Sequence, residues 1–344
     1  MSMSEIQYKT YRFMRALREE WNDLIAQNPQ CHTPFQSYLY NKICYAFLRL
    51  RKKYRRFCPL IICFEDQGKK CIWPLIMDER GKAIYNNSHV GPMDYWDIIS
   101  NSNDEIFHAQ CMQSIKQKFA GYTICLENIC AEYTESESRG RVASICPKTD
   151  LQEEACVQIM VTDYEDYYGG LSKHQRQNIR TAYNKLCKEN IEITLKRYDR
   201  TTKHIQLMDY WKCMMMYEKR SIMKIYRNGG SVSRLTKLNR YKNMLLSASN
   251  ISFLVIPERV MYTLCVKNEP VAYMAGFEKD GRYYVNRLST SPEWQKYDMG
   301  IIMLDQLIRI AQEDHINIID LTRGDEPYKM AMGGTLFYNY TYNA

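Results

Sequence analysis

Three predicted strands in the second half of the chain, joined by two tight turns, constrain the fold more than any other feature. Runs of apolar, β-branched and aromatic residues predict these strands over residues 260–266, 271–278 and 282–289. Pro270 ends the turn between the first two strands, and Gly281 ends the turn between the second and third. Because such turns join antiparallel neighbours, the sequence predicts an antiparallel meander. Apolar side chains at helical spacing then predict an amphipathic helix over residues 300–313.

Further elements are predicted on both sides of this meander. Ser172 caps a long helix that ends near residue 188, and Thr201 or Thr202 caps another that ends near residue 223. The other elements of the second half are strands over 191–195, 317–321 and 336–340, a helix over 234–247 and a short helix or turn over 325–332. The first half is predicted to contain helices over 12–26, 38–50 and 107–119, a hairpin of strands over 60–64 and 71–77, and a strand over 157–161.

The charge of the chain changes sign near its middle. Between residues 132 and 166, nine acidic residues stand against three basic ones, whereas between residues 172 and 203 nine basic residues stand against three acidic ones. The switch lies beside Gly169 and Gly170, and a chain of 344 residues is long enough for two domains. We therefore expect a first domain over residues 1–165 and a second over residues 166–344.

Cysteine usage and hydropathy indicate the compartment. The 13 cysteines form no CxxC pair and the six histidines lie far apart, so neither a zinc site nor any other metal site is expected. Free thiols buried as small apolar side chains fit a reducing cytoplasm. No leader-like apolar segment opens the chain, and no apolar run approaches the ~18 residues that a transmembrane span needs. The net charge of +8 permits an anionic partner.

Two motifs in the second half carry a resemblance to a known family. The first is Leu171-Ser-Lys-His-Gln-Arg-Gln-Asn-Ile-Arg180, and the second is Asp320-Leu-Thr-Arg-Gly-Asp-Glu-Pro-Tyr-Lys329. With the order of the predicted elements, they resemble the GNAT acyltransferase superfamily, in particular its CelD-like acyltransferases and the related FemABX aminoacyltransferases. The resemblance covers residues 156–344. It implies an α/β (α+β) fold of tandem GNAT-like domains, with a mixed central sheet flanked by helices and a degenerate first domain.

The resemblance also implies a co-substrate. This is a coenzyme A thioester, either acetyl-CoA or a longer acyl-CoA. Its diphosphate is expected at the backbone amides that open the helix after the meander, because helix N-termini bind phosphates. The amides concerned belong to Tyr297, Asp298, Met299, Gly300 and Ile301. The family's glycine-rich loop is reduced here to residues 295–300, which keep a single glycine, so an ordinary helix start is the structural alternative.

The segment 320–329 is expected to line the active cleft. Acyl transfer to an amine requires a base for the ammonium proton, a donor to the thioester oxyanion and a proton for the leaving thiolate. Asp325 or Glu326 is the expected base and Asp320 the alternative, while Tyr328 is expected to protonate the thiolate. A structural use of the same residues, with Asp325 as a helix cap, stays open.

Four basic residues are expected to bind the substrate. Arg323 and Lys329 belong to the closing motif, whereas Arg176 and Arg180 lie four residues apart and share one face of the predicted helix. Arginine is suited to bidentate binding of carboxylate or phosphate groups. A solvated basic face that pairs with the acidic segment before it is the competing interpretation.

From the resemblance we expect an acyl-CoA-dependent N-acyltransferase that modifies an amine, on an amino sugar or a precursor of a cell-surface polysaccharide. A small molecule or saccharide is the expected acceptor, and nucleic acid is not an expected partner. One alternative is a FemABX-type aminoacyltransferase that uses aminoacyl-tRNA on a peptidoglycan precursor, although the coiled-coil arm of that family has no counterpart here. A second alternative is a non-catalytic module, in which side chains would fill the cleft between the central strands.

Overall fold

The structure of the protein, a computed structural model, describes residues 6–91, 93–131, 140–202 and 207–344. Packing of the backbone separates two compact units, which are Met1–Ala155 with Tyr338–Ala344, and Cys156–Phe337. Each unit combines helices with strands of mixed direction, and this confirms the expected α/β class. The domain boundary near residue 165 stays a prediction. Five charged residues of the predicted charge switch lie outside the described residues: Glu132, Glu135, Glu137, Arg139 and Lys203.

The first unit contains a sheet built around a long hairpin. Its strands are β1 (Gln7–Tyr11), β2 (Phe57–Asp66), β3 (Lys69–Asp78), β4 (Ala83–Asn86), β5 (Ile99–Ser100) and β6 (Thr123–Ile129). They follow the order β1-β2-β3-β4-β6, with β5 paired to β3 and with β4 parallel to β6. Between β2 and β3, Gln67 and Gly68 have φ angles of 48° and 82°, the left-handed conformation typical of two-residue hairpin turns. The predicted hairpin is confirmed, with longer strands.

Four helices accompany this sheet: α1 (Arg18–Gln27), α2 (Tyr38–Leu50), α3 (Glu105–Lys118) and α4 (Arg141–Ile145). Trp21 of α1 is fully buried, and its indole N–H donates to the carbonyl of Gln36 at 2.8 Å. Leu24, Tyr45 and Ile72 pack in the same core. The predicted helices over 38–50 and 107–119 are confirmed. The one predicted over 12–26 starts with a 3-10 turn and becomes α-helical only at Arg18.

The second unit contains the predicted meander. Its strands are β7 (Leu151–Met160), β8 (Thr194–Tyr198), β9 (Arg259–Val266), β10 (Glu269–Lys279), β11 (Arg282–Thr290), β12 (Ile318–Arg323) and β13 (Thr335–Asn343). Strands β7 and β13 each contribute residues to both units. In the order β7-β12-β11-β10-β9-β8, only the pair of β11 and β12 is parallel. The antiparallel meander of β9, β10 and β11 is confirmed.

Strands β11 and β12 separate soon after they begin. Their pairing covers only Arg282 to Tyr284 on β11, opposite Ile318 to Asp320 on β12, although β11 continues to Thr290. The register between β10 and β11 also shifts at Gly276, where a Cβ atom would lie 1.8 Å from the carbonyl oxygen of Tyr284. A bulge of this kind increases the local bend of a strand. The parallel strands therefore diverge and open one edge of the sheet.

Helices cover both faces of this sheet: α5 (Tyr164–Gly170), α6 (Lys173–Lys188), α7 (Leu207–Arg227), α8 (Arg234–Leu245), α9 (Ala248–Val255), α10 (Met299–Ala311) and α11 (Pro327–Ala331). Ile179 of α6 and Leu307 of α10 pack in one core, and Met214 of α7 packs in another. Ser172 caps α6, as predicted, because its hydroxyl accepts from the amide of Gln175.

One predicted strand needs correction, one helix was missed, and one predicted helix cap lies outside the described residues. The strand predicted over 191–195 is found at Thr194–Tyr198, and helix α9 was not predicted at all. The cap of α7 lies outside the described residues, which resume at residue 207. Among the described helices, none has the length and apolarity needed to cross a bilayer. In the same ranges, no group of three or more His, Cys, Asp or Glu side chains is arranged to hold a metal ion.

Candidate active-site cleft

A cleft of about 730 Å³ lies within the second unit, beside the end of β11. Three elements form most of its wall: the C-terminal half of α7, the last residues of β11 and the 3-10 segment Pro292–Tyr297. Glu326, just before α11, completes the lining. The lining side chains are Tyr217, Arg220, Ser221, Met223, Lys224, Arg227, Asn228, Leu288, Ser289, Thr290, Pro292, Gln295 and Glu326.

Helix α10 begins beside Thr290, one of the residues that line this cleft. Asp298 precedes the helix at φ 56°, and its carbonyl accepts from the amides of Ile301 and Ile302. The amide of Asp298 itself donates to Gln295. Met299 and Gly300, two of the five residues whose amides are expected to bind a diphosphate, open this 13-residue helix at its positive end.

Open space adjoins Gly300. A Cβ atom added there would meet only the Thr290 methyl group, at an ordinary contact distance of 3.6 Å, and Gly300 does not need a left-handed φ angle. Neither backbone conformation nor packing therefore requires glycine at this position. Its missing side chain leaves room for another molecule to approach the start of α10.

Three cations of α7 line the same cleft. Arg220, Lys224 and Arg227 follow one another at spacings of four and three residues, so they share one face of the helix. Arg220 donates to the hydroxyl of Thr290 at 3.3 Å, and Arg227 donates to the side-chain oxygen of Gln295 at 2.6 Å. Against these three cations the lining contains one carboxylate. The cleft is therefore suited to an anion with several charges.

Glu326 supplies that carboxylate, and Lys329 holds it in place. The ammonium group of Lys329 is buried and donates to the carbonyls of Arg323 (2.7 Å) and Gly324 (3.0 Å), and it forms a 2.9 Å ion pair with Glu326. Partial burial opposes ionisation of Glu326, but the hydrogen bond and charge of Lys329 together with a backbone hydrogen bond outweigh it, so the pKa of Glu326 is lowered. Lys329 thus donates its hydrogen bonds within the loop, and Glu326 is present as a carboxylate at neutral pH.

Tyr328 follows Glu326 by two residues and senses the charges of both Glu326 and Arg220. Burial, reinforced by the charge of Glu326 and opposed by that of Arg220, raises the pKa of Tyr328 to about 12. The phenol therefore keeps its proton at neutral pH. It can act as a proton donor but not as a base.

Apart from Glu326, the residues of the segment 320–329 lie outside the cleft lining. Asp320 is fully buried, forms a 3.0 Å ion pair with Arg282 and accepts from the amide of Thr322. Asp325 and Arg323 are exposed. The prediction that Asp325 caps the following helix is wrong, because α11 begins at Glu326 without a side-chain cap.

The basic residues of α6 do not line the cleft. Arg176 donates to the carbonyls of Gly169 (2.6 Å) and Leu171 (2.8 Å), so its guanidinium closes the turn between α5 and α6. Arg180 donates to the hydroxyl of Tyr168 at 3.1 Å. Their substrate-binding role stays a prediction. Sequence reasoning missed the α7 cations, although basic residues at helical spacing in residues 220–227 were a usable signal.

Comparison with known proteins supports a GNAT-type unit at this site. Residues 253–330 match the profile of an acetyltransferase (GNAT) domain, a stretch that includes β9 to β12, α10 and most of α11. No curated protein sequence matches the chain.

Solved structures share the fold at low sequence identity. FemX superposes with a TM-score of 0.55 at 10% identity, covering 98% of this chain and 97% of that one. The C-terminal domain of a protein provisionally assigned as a lysylphosphatidylglycerol synthetase from Agrobacterium fabrum gives 0.53 at 7% identity, with 94% and 90% covered. A tandem GNAT protein from the clavulanic acid biosynthesis pathway gives 0.50 at 9% identity, with 99% and 98% covered. The chain thus has a fold similar to that of tandem GNAT proteins.

Proposed function

We propose that this protein is an acyl-CoA-dependent N-acyltransferase whose coenzyme binds at the start of α10. One observation carries the proposal: a 13-residue helix begins, with open space at Gly300, beside a cleft that three cations line. Free amides at a helix N-terminus bind phosphate oxygens, and the open space at Gly300 lets the diphosphate come close. The match of residues 253–330 to an acetyltransferase domain supports the same conclusion.

The cations of α7 complete the proposed coenzyme site. Coenzyme A carries a diphosphate and a further phosphate, so it needs more positive charge than one helix end supplies. Lys224 has no ion pair among the described residues, and Arg220 and Arg227 are bonded to neutral side chains. All three are therefore able to add charge-assisted hydrogen bonds to phosphate oxygens.

Glu326 and Tyr328 are the groups that we assign to the chemistry. Glu326 takes the proton from the acceptor's ammonium group, and the free amine attacks the thioester carbonyl carbon. A C–N bond forms, the C–S bond breaks and the thiolate receives a proton from the Tyr328 hydroxyl. The resulting phenolate takes up the extra proton that the nitrogen loses as it becomes an amide. The ionised state of Glu326 and the protonated state of Tyr328 at neutral pH suit these roles. As the base, Glu326 fits better than Asp320 or Asp325, because it is the one acid of this segment in the cleft lining.

For the acceptor, we propose an amine on an amino sugar or on a precursor of a cell-surface polysaccharide. This rests on the likeness of segment 320–329 to the closing motif of CelD-like acyltransferases. Aminoacyl transfer from tRNA is the second candidate, favoured by the similarity of the whole fold to FemX. The open cleft beside β11 counts against a non-catalytic module.

Calorimetry with a series of acyl-CoA thioesters tests the proposal. We expect acetyl-CoA or a longer acyl-CoA to bind the wild-type protein with one-to-one stoichiometry. A gel shift with aminoacyl-tRNA across a salt series runs in parallel, because phosphate contacts make RNA binding fall steeply with salt. A folded protein that binds tRNA but no acyl-CoA would replace the first candidate with the second. A folded protein that binds neither acyl-CoA nor tRNA would contradict both proposed transfer reactions.

A further inference from the structure

A second cleft, of about 500 Å³, lies within the first unit. The chain just before α1, helix α2 and strand β2 form its walls. Its floor belongs to the core of the unit, since Met14, Tyr38, Tyr45 and Ile61 are buried. The cleft has no part in the chemistry assigned above, because all its lining residues belong to the other unit of the chain.

The charges around this cleft have one sign. Five cations line it, which are Arg12, Arg15, Arg18, Lys42 and Arg49, and no carboxylate is among the lining residues. Arg12 forms an ion pair with Glu79, outside the lining, at 3.4 Å. Within the described ranges, no ion pair is found for the other four cations. Four uncompensated charges at one cleft raise the local positive potential and attract anions.

Two large apolar side chains stand exposed at the same cleft. Phe13 is 64% exposed and Leu50 is 73% exposed. The guanidinium of Arg49 lies 4.9 Å from the centre of the Phe13 ring, so an apolar group and a cation are presented together. Exposed apolar groups surrounded by cations are suited to bind a lipid surface, in which negatively charged headgroups cover an apolar layer.

The basic character continues along the chain beyond α2. Five further basic residues follow Leu50, namely Arg51, Lys52, Lys53, Arg55 and Arg56. Arg56 forms a 3.4 Å ion pair with Asp78. A cluster of this size next to exposed apolar residues is the pattern that anionic lipid headgroups attract. A nucleic acid would use the cations and the Phe13 ring, but it would gain nothing from the exposed aliphatic side chain of Leu50, which offers no stacking surface.

We propose that this cleft docks the first unit on an anionic phospholipid surface. Arg15, Arg18, Lys42 and Arg49 bind headgroup phosphates, while Phe13 and Leu50 enter the interface between headgroups and acyl chains. The argument is charge complementarity joined to apolar exposure at one place, and it does not depend on the proposed acyl transfer.

Sedimentation of the full-length protein with vesicles tests the proposal. We expect binding to vesicles of equal parts phosphatidylglycerol and phosphatidylcholine, no binding to phosphatidylcholine alone, and release at high salt because surface charges are screened. Phe13→Ser and Leu50→Ser should each reduce the partition coefficient about tenfold. Arg15→Gln combined with Arg18→Gln should reduce it by a similar factor.

Matched controls separate docking from loss of structure. Ile106 on α3 is in the same unit and 72% exposed, so Ile106→Ser removes an equally exposed apolar side chain from another place. This variant should bind vesicles like the wild type, and all variants should keep the wild-type Tm.

Failure of the wild type to bind the mixed vesicles overturns the proposal. Equal loss in Ile106→Ser overturns it too, and so does wild-type partition in both the Phe13 and Leu50 variants. Displacement from vesicles by tRNA, with no effect of Leu50→Ser, would assign the cleft to a nucleic acid instead.

Discussion

At the scale of single residues, two neighbouring acids of one loop have different surroundings. Glu326 lines the active-site cleft and is fixed by Lys329, whereas Asp325 lies outside the lining. We expect Glu326→Gln to lower kcat by about 10²- to 10⁴-fold, the usual contribution of a general base, with acyl-CoA affinity unchanged. Asp325→Asn is the matched control and should keep wild-type kcat in a steady-state assay. A loss confined to the Asp325 variant would transfer the role of base to that residue.

A buried histidine makes the stability of the first unit depend on pH. His108 on α3 is 1% exposed, and burial, helped by the charge of Arg141, lowers its pKa to about 3. In the unfolded chain its pKa is about 6.5, so between these values only the unfolded state binds the proton. The free energy of unfolding therefore falls as pH drops below 6.5, by up to ~1.4 kcal/mol per pH unit.

Thermal unfolding at a series of pH values checks this expectation. The Tm of His108→Gln should fall less steeply than that of the wild type between pH 6.5 and pH 4.5. His174→Gln, which changes an exposed histidine of α6, should retain the wild-type slope. An unchanged slope in the His108 variant would show that other groups control the acid sensitivity.

At the scale of elements, the sequence predicts strands and helices better than it predicts where paired strands separate and which side chains line the resulting cleft. The meander is evident because turn residues such as Gly281 mark where each strand ends, and α6 is evident from its capping Ser172. The divergence of β11 and β12 is not evident, since no local pattern shows where two strands far apart in sequence stop pairing. For the same reason the α7 cations were missed, because their contacts with Thr290 and Gln295 depend on tertiary packing.

These cations give a prediction for helix α7. Lys224→Gln and Arg227→Gln should each raise the Kd for acyl-CoA about tenfold, which corresponds to the ~1.5–3 kcal/mol of a charge-assisted hydrogen bond. Lys188→Gln, at the exposed end of α6, is the matched change of charge and should leave the Kd unaltered. Calorimetry at constant ionic strength measures all three. An equal effect of Lys188→Gln would mean that net charge, and not the cleft, determines the affinity.

At the scale of the whole molecule, a different function is proposed for each compact unit. The second unit contains the open strand edge, the start of α10 and the residues assigned to acyl transfer, and the first unit contains the cationic cleft. Composition and charge patterning predicted two domains, and the resemblance in segments 171–180 and 320–329 predicted their type. Which side chains in those segments point into a cleft was not predictable, since Asp320 and Lys329 are buried by contacts that form only in the folded unit.

The most direct test of the central claim, that the coenzyme diphosphate binds at the start of α10, is the acyl-CoA affinity of two Gly300 variants. Gly300→Ala adds only a methyl group at an ordinary distance from Thr290, so it should fold normally and keep most of the affinity. Gly300→Glu places a carboxylate where the diphosphate is expected, and we predict that calorimetry detects no acyl-CoA binding while the Tm stays at the wild-type value. Wild-type affinity in Gly300→Glu would contradict the placement of the coenzyme.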